Sequence, residues 1–506
     1  MANNPGLSKD LEAALTLWRF GLGAQEGSIS AIKDDPRDLL LQEVTEQAVP
    51  HPVGGNLRST QDLLVSLYDF QAEVKAERER PLAPANAASA MAATAMAPDG
   101  GKPADMKDGM AGSSMGGPMA PNGKDNRPDA APSKRPYLPQ QILLAEADAR
   151  FNGTIHQPLI GFGERLAMFW ANHFAIATGK NGELHISAGA FEREAIRPHI
   201  FGRFEDLLTA VETHPAMLVF LDNRQSIGPN SPANKNGKRG LNENLAREIL
   251  ELHTLGVGTG YSQADVTSFA KIITGWAVYR DEKKPGPQGA FTFNAKAHEP
   301  GDHTVMGITY PEGGMEQGRA VLRDLSRHPA TARHLAFKLA RHFIADDPPP
   351  SLVSKMTAAY TKSQGNLSAV YKAMLNADEA WAPQMKKMRP PLQYVTALLR
   401  STGIKPKPQQ ILSTLKALGQ PLWDPSGPNG FSDVIDGWAS SEGLATRIDA
   451  ANLFARQAHS SIDPRAFAAD RLGPLLTAET LQAVSRAETR PQGLSIAFLS
   501  PEFQRC

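Results

Sequence analysis

Helix-forming periodicity runs through most of this chain and limits what the chain can fold into. Apolar residues recur three or four positions apart, as they do along one face of an α-helix. The segments with this spacing are 137–150, 160–177, 203–221, 315–344, 350–376, 381–402, 407–418, 440–459 and 476–486. The sequence therefore predicts a mainly α fold built as a large multi-helix globular body.

Start and stop signals agree with this periodicity. Asp35-Pro36 combines a capping residue with proline at the first helical position. Ser262 and Asp265 have the spacing of a capping box, which predicts a helix that runs to Gly275. Asn242 can cap a further helix that Gly256 closes.

Strand-like segments are few and short. Thr, Val, Tyr and Phe cluster at 276–280, 290–294 and 304–310, with turn residues between the clusters. We expect these three segments to form a small β hairpin or meander on the helical body.

Residues 81–136 differ in composition from everything around them. The segment is rich in Ala, Pro, Gly and Met, and beyond Leu82 it contains no Leu, Ile, Val or aromatic residue. Such a segment cannot bury enough apolar surface to offset its ordering entropy, so we interpret it as a disordered insertion. It separates an N-terminal helical segment, 1–80, which we expect to pack on a main helical body, 137–506. The methionine thioethers of the insertion could bind Cu(I), but disorder explains the composition without copper.

Charge and cysteine content exclude several classes of protein. The chain has 53 basic and 53 acidic residues, so no overall field favours nucleic acid or an anionic membrane. Its one cysteine, Cys506, can form no intramolecular disulfide and no thiolate metal cage. No signal peptide and no apolar run of roughly 18–20 residues is evident, which predicts a cytoplasmic protein; a trimmed periplasmic or exported protein would look the same.

The first candidate site surrounds His173, in the string Trp170-Ala-Asn172-His173-Phe174. On a helix, His173 shares a face with Phe162, Leu166, Phe169 and Trp170, while Asn172 lies on another face. A buried imidazole needs a hydrogen-bond partner. His173 is therefore either a core histidine satisfied by a backbone carbonyl, or a metal ligand or acid–base group.

The second candidate site is the segment from Gly240 to Gly256. On a regular helix its apolar residues surround His253, and the polar side chains gather on the opposite face. These polar residues are Asn244, Arg247, Glu248 and Glu251. One interpretation is an exposed helix with an ion pair between positions i and i+4. The other is a helix buried on both sides, whose two acids and arginine face an internal site.

The third candidate site is the loop His298-Glu299-Pro-Gly-Asp302-His303. Two imidazoles and two carboxylates within six residues would suit Zn, Mn or Fe. Loops also carry such residues for solubility alone. Phosphate-binding, nucleophile-elbow and H-E-x-x-H motifs are all absent from the sequence.

Several strings together resemble the family known as domain of unknown function 1800. They follow one another in the order expected for that family and cover roughly residues 10–80 and 140–460 of this chain. The strings are Arg19-Phe20-Gly21-Leu-Gly23, Trp170-x-Asn172-His173-Phe174, Phe191-x-Arg193-Glu194, His214-Pro215-Ala216-Met217, Asn242 to Gly256, Thr274-Gly275-Trp276, the loop with His298, Gly301 and Asp302, and the segment of Trp438. The resemblance implies a large helical bacterial protein, often encoded beside a sulfatase-like family numbered 1501. It implies no particular activity.

Three functional hypotheses follow from these residues. The first is an internal site for metal-assisted hydrolytic or redox chemistry, with His173, Glu248, Arg247 and Glu251 as catalytic residues. Trp170, Asn172, Asn242 and Asn244 would support that site, and a divalent metal of unknown identity would be bound by His173, His253, His298 and Asp302. The second is a non-enzymatic partner or assembly protein that acts with the sulfatase-like neighbour and uses these groups as structural networks. The third is a haem binder with His173 or His253 as an axial ligand.

Overall fold

The computed structural model describes residues 7–52, 54, 57–79, 137–156, 159–235, 237, 240–280 and 286–506. Contacts between residues divide the chain into two compact units. The first comprises Met1–Tyr68 and Leu138–Cys506, and the second comprises Asp69–Tyr137. Of the second unit, the described residues are the end of one helix and Tyr137. The predicted insertion at 81–136 lies outside the described residues.

The described structure is mainly helical, as predicted. The N-terminal part contains α1 (Lys9–Leu15), α2 (Ser28–Ile32), α3 (Pro36–Thr45) and α4 (Thr60–Glu79). The middle of the chain contains α5 (Leu138–His156), α6 (Phe162–His173), α7 (Gly182–Phe191), α8 (Phe204–Glu212), α9 (Pro215–Phe220), α10 (Asn244–Glu248) and α11 (Gln263–Ile272).

The C-terminal part of the chain contains eleven further helices. These are α12 (Met315–Arg327), α13 (Pro329–Phe343), α14 (Pro350–Lys362), α15 (Leu367–Leu375), α16 (Pro391–Thr402), α17 (Pro408–Ala417), α18 (Ser441–Gln457), α19 (Pro464–Leu472), α20 (Ala478–Ser485), α21 (Arg490–Leu499) and α22 (Pro501–Gln504). No helix among the described residues is long and apolar enough to cross a membrane.

Two of the three predicted helix starts have the expected positions, whereas the third is displaced by one residue: the N-cap of α10 is Glu243 and not Asn242. Pro36 is the first residue of α3, after Asp35. Ser262 and Asp265 form the predicted capping box, in which each side chain accepts a hydrogen bond from the other residue's backbone N–H. The helix that they open ends at Ile272, before the predicted Gly275.

Three π-helical turns continue α-helices, and the sequence did not reveal them. They are Thr16–Phe20 after α1, Glu192–Ile196 after α7 and Ile249–Thr254 after α10. In a π-turn the backbone N–H bonds to the carbonyl five residues earlier, as the Leu255 N–H does to the Leu250 carbonyl at 3.1 Å. The prediction of a regular helix over 242–256 is therefore wrong after Glu248. The π-turn inserts one extra residue, which rotates the side chains that follow about the helix axis.

The strands form two separate hairpins. β1 (Trp276–Val278) pairs with β2 (Phe291–Phe293), and β3 (His303–Val305) pairs with β4 (Ile308–Tyr310), both antiparallel. The segment predicted at 304–310 is thus a hairpin by itself and not the third strand of a meander. Met306 and Gly307, both with positive φ, make the tight turn that reverses the chain within that segment.

A continuous apolar core joins α1 to the later helices and positions the candidate site. Trp18, Trp170 and Trp276 are fully buried in it. The indole N–H of Trp170 donates to the Tyr371 hydroxyl at 2.8 Å, and that hydroxyl donates to the Ile200 carbonyl at 2.8 Å. These bonds satisfy the polar atoms of two large buried side chains and fix the end of α6, where His173 lies.

Candidate functional site

The structure brings His173 and His253 together inside the helical body. His173 is the last residue of α6, and His253 lies in the π-turn after α10. Their ring centroids are 6.1 Å apart, and the ring of His334 on α13 is 6.3 Å from that of His173. We call these three rings, together with Glu212, Glu248 and Lys338, the imidazole cluster.

A buried carboxylate holds the ring of His253. The Nδ1–H of His253 donates to Glu212 Oε1 at 2.8 Å, and both side chains are fully buried. His253 Nε2 and Glu212 Oε2 are also buried and have no hydrogen-bond partner. Because buried polar atoms are normally paired, these two atoms mark unused hydrogen-bonding capacity in the cluster.

His173 is held between an acceptor and a donor. Its Nε2 lies 3.2 Å from the His253 carbonyl, and its Nδ1 lies 3.0 Å from Lys338 Nζ. A carbonyl can only accept and an ammonium can only donate, so this network assigns the proton of His173 to Nε2. Burial, and then the charge of Lys338, lower the pKa of His173 well below its ordinary value, which keeps the ring neutral.

His334 and Lys338 lie one turn apart on α13 and are only half-buried. His334 Nε2 donates to the Leu252 carbonyl at 3.3 Å, and burial followed by the charge of Lys338 lowers the pKa of His334 to about 4. Burial also lowers the pKa of Lys338, against the opposing effect of the Asp433 carboxylate.

The π-turn explains why two imidazoles meet here. The last carbonyls of a helix have no partner within the helix. At the end of the π-turn, the carbonyls of Leu252 and His253 accept from His334 and His173 instead. Gly256, predicted to close this helix, has a φ of +90°, and a Cβ on it would lie 2.8 Å from His334 Nδ1. Glycine thus both ends the helix and admits the His334 ring.

The same π-turn places Glu248 near His253. On a regular helix, two residues five positions apart point about 140° away from each other, which would separate the side chains of Glu248 and His253. The extra residue of the π-turn reduces that angle, and the charges of Glu248, His253 and Glu212 interact. Burial raises the pKa of Glu248, although His253 partly opposes this change.

A loop carries a further acid to the cluster. Asp433 Oδ1 lies 3.4 Å from His342 Nδ1, and the charge of Asp433 also acts on Lys338. Burial acts to raise the pKa of Asp433, but the hydrogen bond from His342 and the charges of His342, Lys338 and Lys387 outweigh burial and lower it. Lys387 Nζ bonds to the Asp433 carbonyl and to the Asp346 carboxylate, so the backbone of the loop is fixed as well.

Asn172 fastens this loop to the end of α6. Its amide donates to the Phe431 carbonyl at 3.0 Å and accepts from the Phe431 N–H at 2.7 Å. Gly430, with a φ of +71°, packs so closely that an added Cβ would lie 2.4 Å from the Asn172 carbonyl. Asn172 therefore positions the loop that carries Asp433 and does not itself face the imidazoles.

The other predicted residues of the second segment lie on its outer face. Arg247 pairs with Glu243 at 3.3 Å and with Glu251 at 3.6 Å, and these side chains are partly exposed. Asn242 accepts from the Asn244 backbone N–H at 2.9 Å, and Asn244 is exposed. These contacts stabilise the start and the outer face of α10, and none of them involves an imidazole ring.

His298 and Asp302 make their contacts at a different place. His298 Nδ1 donates to the Thr274 carbonyl at 3.1 Å, whereas its Nε2 is buried without a partner. Asp302 accepts from the Glu312 N–H at 2.9 Å, and Glu299 accepts two bonds from Asn230. Across the described residues, no group of three or more His, Cys, Asp or Glu side chains is arranged to hold a metal ion.

Sequence reasoning missed Glu212, His334, Lys338 and Asp433. A signal existed for part of this set, because positions 334, 338 and 342 are spaced by four and place His334, Lys338 and His342 along one side of α13. Glu212 and Asp433 gave no signal, since only tertiary packing brings them to the cluster.

A surface groove adjoins the cluster. It has a volume of about 1080 Å³ and is lined by His334, Arg333 and Phe337 of α13, by the start of α14, and by the residues that follow the π-turn. Most of its other walls are apolar, including Leu255, Pro348 and Val353. His334 thus has one side toward the groove and the other toward His173.

The fold and the site define a mainly helical protein with a buried imidazole cluster beside an apolar groove. The family model described as Protein of unknown function (DUF1800) matches residues 15–505, nearly the whole chain. The chain therefore belongs to this family, as its sequence motifs indicated. Neither the curated proteins nor the solved structures contain a significant match to the chain.

Proposed function

We propose that this protein is a hydrolytic enzyme in which the imidazole cluster transfers protons to and from a substrate bound in the groove beside His334. The observation that carries the proposal is the contact between Lys338 Nζ and His173 Nδ1 at 3.0 Å. A lysine that only stabilises a fold normally pairs with a carboxylate. Here the hydrogen-bond partner is a neutral imidazole, and the lowered pKa of Lys338 makes its ammonium a stronger proton donor.

The cluster divides into an accessible and an enclosed part. His334 lines the groove and can contact a ligand there, Lys338 is half-buried one turn further along α13, and His173, His253 and Glu212 are enclosed. The enclosed groups fix the proton positions: Glu212 orients His253, and the His253 carbonyl orients His173. Glu248 is the second carboxyl near His253, and Arg247 with Glu251 stabilises the outer face of the same segment.

The proposal is tested by hydrolysis of p-nitrophenyl acetate as a probe substrate. We expect Lys338→Met to lower the rate at least tenfold, because it removes the half-buried proton carrier that contacts His173. Lys355→Met, at an exposed lysine paired with Glu379, serves as the matched control and should keep the rate of the unchanged protein. Equal rates in all three proteins, with circular dichroism showing each of them folded, would overturn the proposal.

Metal-assisted hydrolysis is a second proposal, supported by the pair of Glu212 and His253. A carboxylate that accepts the Nδ1–H of a histidine and leaves Nε2 free is the usual arrangement behind a metal-binding imidazole. The Lys338 ammonium opposes it, because a cation near His173 would be repelled. Equilibrium dialysis with Zn²⁺ distinguishes the two: a metal site predicts tighter binding in Lys338→Met and weaker binding in Glu212→Gln, and no binding by either variant excludes this second proposal.

A further inference from the structure

A second internal site lies on the other side of α6 from the imidazole cluster. A cavity of about 50 Å³ is lined by residues of α5, α6, α7 and the segment around residues 420–425. Its walls are mainly apolar and include Met168, Ala171, Ile176, Phe191 and Leu422. Arg150 and Glu192 line it as well, so one charged pair faces an otherwise apolar space.

Arg150 has one donor nitrogen without a partner. Its Nε donates to Glu192 at 3.1 Å and its Nη2 lies 3.3 Å from Glu164 Oε1, but Nη1 is buried and unpaired. The Arg150 side chain is only 2% exposed, so bulk water does not satisfy this nitrogen. A buried unpaired donor is unfavourable, so an acceptor bound in the cavity would stabilise it.

The charges around the cavity already balance. Arg150 and Arg197 contact Glu164 and Glu192, giving two positive and two negative groups, all almost fully buried. Burial acts to raise the pKa of Glu192, but the two arginines outweigh burial and bring it to about 2, so Glu192 stays ionised. An anion in the cavity would add an uncompensated buried charge, whereas an uncharged acceptor would not.

Trp423 forms a strained wall of the cavity. Its φ of +53° is unusual for an aromatic residue, and its indole N–H donates to Glu192 Oε2 at 2.9 Å. The Trp423 carbonyl in turn accepts from the Thr178 N–H at 2.9 Å. Strained residues held by their surroundings occur at ligand clamps, and this one contacts the same glutamate that binds Arg150.

We propose that this cavity binds a small uncharged carbonyl compound, or a carbonyl group of a larger molecule, whose oxygen accepts from Arg150 Nη1 and whose apolar part contacts the walls. A cavity of 150 Å³ holds benzene, so this smaller space suits roughly two to four non-hydrogen atoms. The proposal is independent of the hydrolytic function, since Arg150 and the imidazole cluster share no contact described above.

The test compares three planar probes of the same size, namely acetone, isobutene and acetate. Binding is followed by the indole N–H resonance of Trp423, identified among the six tryptophans by its loss in Trp423→Phe. We expect a saturable shift with acetone, and at least tenfold weaker binding of isobutene, which lacks the acceptor, and of acetate, which carries a charge.

A cavity-filling variant checks the location without touching the charged network. Ala171→Leu should abolish the acetone shift, whereas Ala210→Leu, at a half-buried alanine of α8 outside the cavity, should retain it. Absence of a saturable acetone shift in the unchanged protein would overturn the proposal. Equal binding of isobutene would remove the role of Arg150, and preferential binding of acetate would show that the site is an anion site instead.

Discussion

His173 has each of its two ring nitrogens engaged by a different neighbour. The His253 carbonyl accepts from Nε2, and Lys338 donates to Nδ1. The contact with the backbone carbonyl is the one expected of a core histidine, and the contact with a titratable lysine is one that the sequence did not predict. A structural role for one nitrogen and a chemical role for the other are therefore compatible.

Lys338→Met is expected to raise the pKa of His173. After burial, the charge of Lys338 is the largest cause of the low pKa, and methionine removes this charge while keeping the length of the side chain. The measurement is an NMR pH titration of the His173 ring in both proteins. Lys355→Met should leave the titration unchanged, and an unchanged His173 titration in Lys338→Met would show that the contact is absent in solution.

Acid should destabilise the protein through its buried histidines. Burial lowers the pKa of His342 to about 4, whereas an unfolded histidine has a pKa of about 6.5. Between these values the unfolded state binds the proton more readily, so the free energy of unfolding falls as pH falls from 6.5 to 4. For His342 alone the loss approaches about 3 kcal/mol at the low end.

Urea unfolding at a series of pH values measures this dependence. His342→Gln cannot take up the proton, so its free energy of unfolding should fall less steeply over the same range, whereas His459→Gln, at an exposed histidine, should follow the unchanged protein. Identical slopes in all three proteins would contradict the assignment to His342.

At the scale of elements, the π-turns and the loop of Asp433 build the site. The sequence predicted that a helix covers 242–256 and that His253 is buried in it, because apolar spacing and capping residues are local properties. It could not predict the change of phase after Glu248, since a π-turn leaves no distinct pattern in a short segment. Of the expected group, Arg247 and Glu251 pair on the outer face, whereas the charge of Glu248 interacts with those of His253 and Glu212.

Gly430→Ala is expected to displace the loop of Asp433. The Cβ would lie 2.4 Å from the Asn172 carbonyl, and the positive φ adds strain, so we expect a loss of about 2 kcal/mol in the free energy of unfolding. Gly419→Ala has a similar positive φ but nothing within 4 Å of the added Cβ, and it should lose only about 1 kcal/mol. Chemical denaturation of both variants compares the two effects, and an equal loss would show that the contact with Asn172 does not matter.

At the scale of the whole molecule, the sequence predicted the mainly helical architecture, and the positions of most helices followed from apolar periodicity. Of the residues predicted to form one site, His173 and His253 have ring centroids 6.1 Å apart, whereas His298 and Asp302 contact other residues. Glu212 and Asp433 could not be found in advance because they come from two further segments, and no local pattern relates one to the other. The metal site predicted from His173, His253, His298 and Asp302 remains a prediction. Among the described residues, these four side chains do not lie together as metal ligands.

The buried ion-pair network of Arg150, Glu164, Glu192 and Arg197 joins α5, α6 and α7 into one body. Arg197→Met would leave two buried carboxylates with only Arg150 as a cation, so we expect a loss of about 3–5 kcal/mol in the free energy of unfolding. Arg327→Met breaks a more exposed pair with Glu205 and should change stability by at most about 1 kcal/mol. Similar losses in thermal or urea unfolding of both variants would mean that the network does not hold these helices together.

The measurement that tests the account most directly is the protonation of the His173 ring at neutral pH, observed by long-range ¹H–¹⁵N correlation NMR. If the imidazole cluster exists as described, His173 is neutral, carries its proton on Nε2 and accepts from Lys338 at Nδ1. A proton on Nδ1, or a doubly protonated ring, would contradict the hydrogen-bond network on which the proposed chemistry depends.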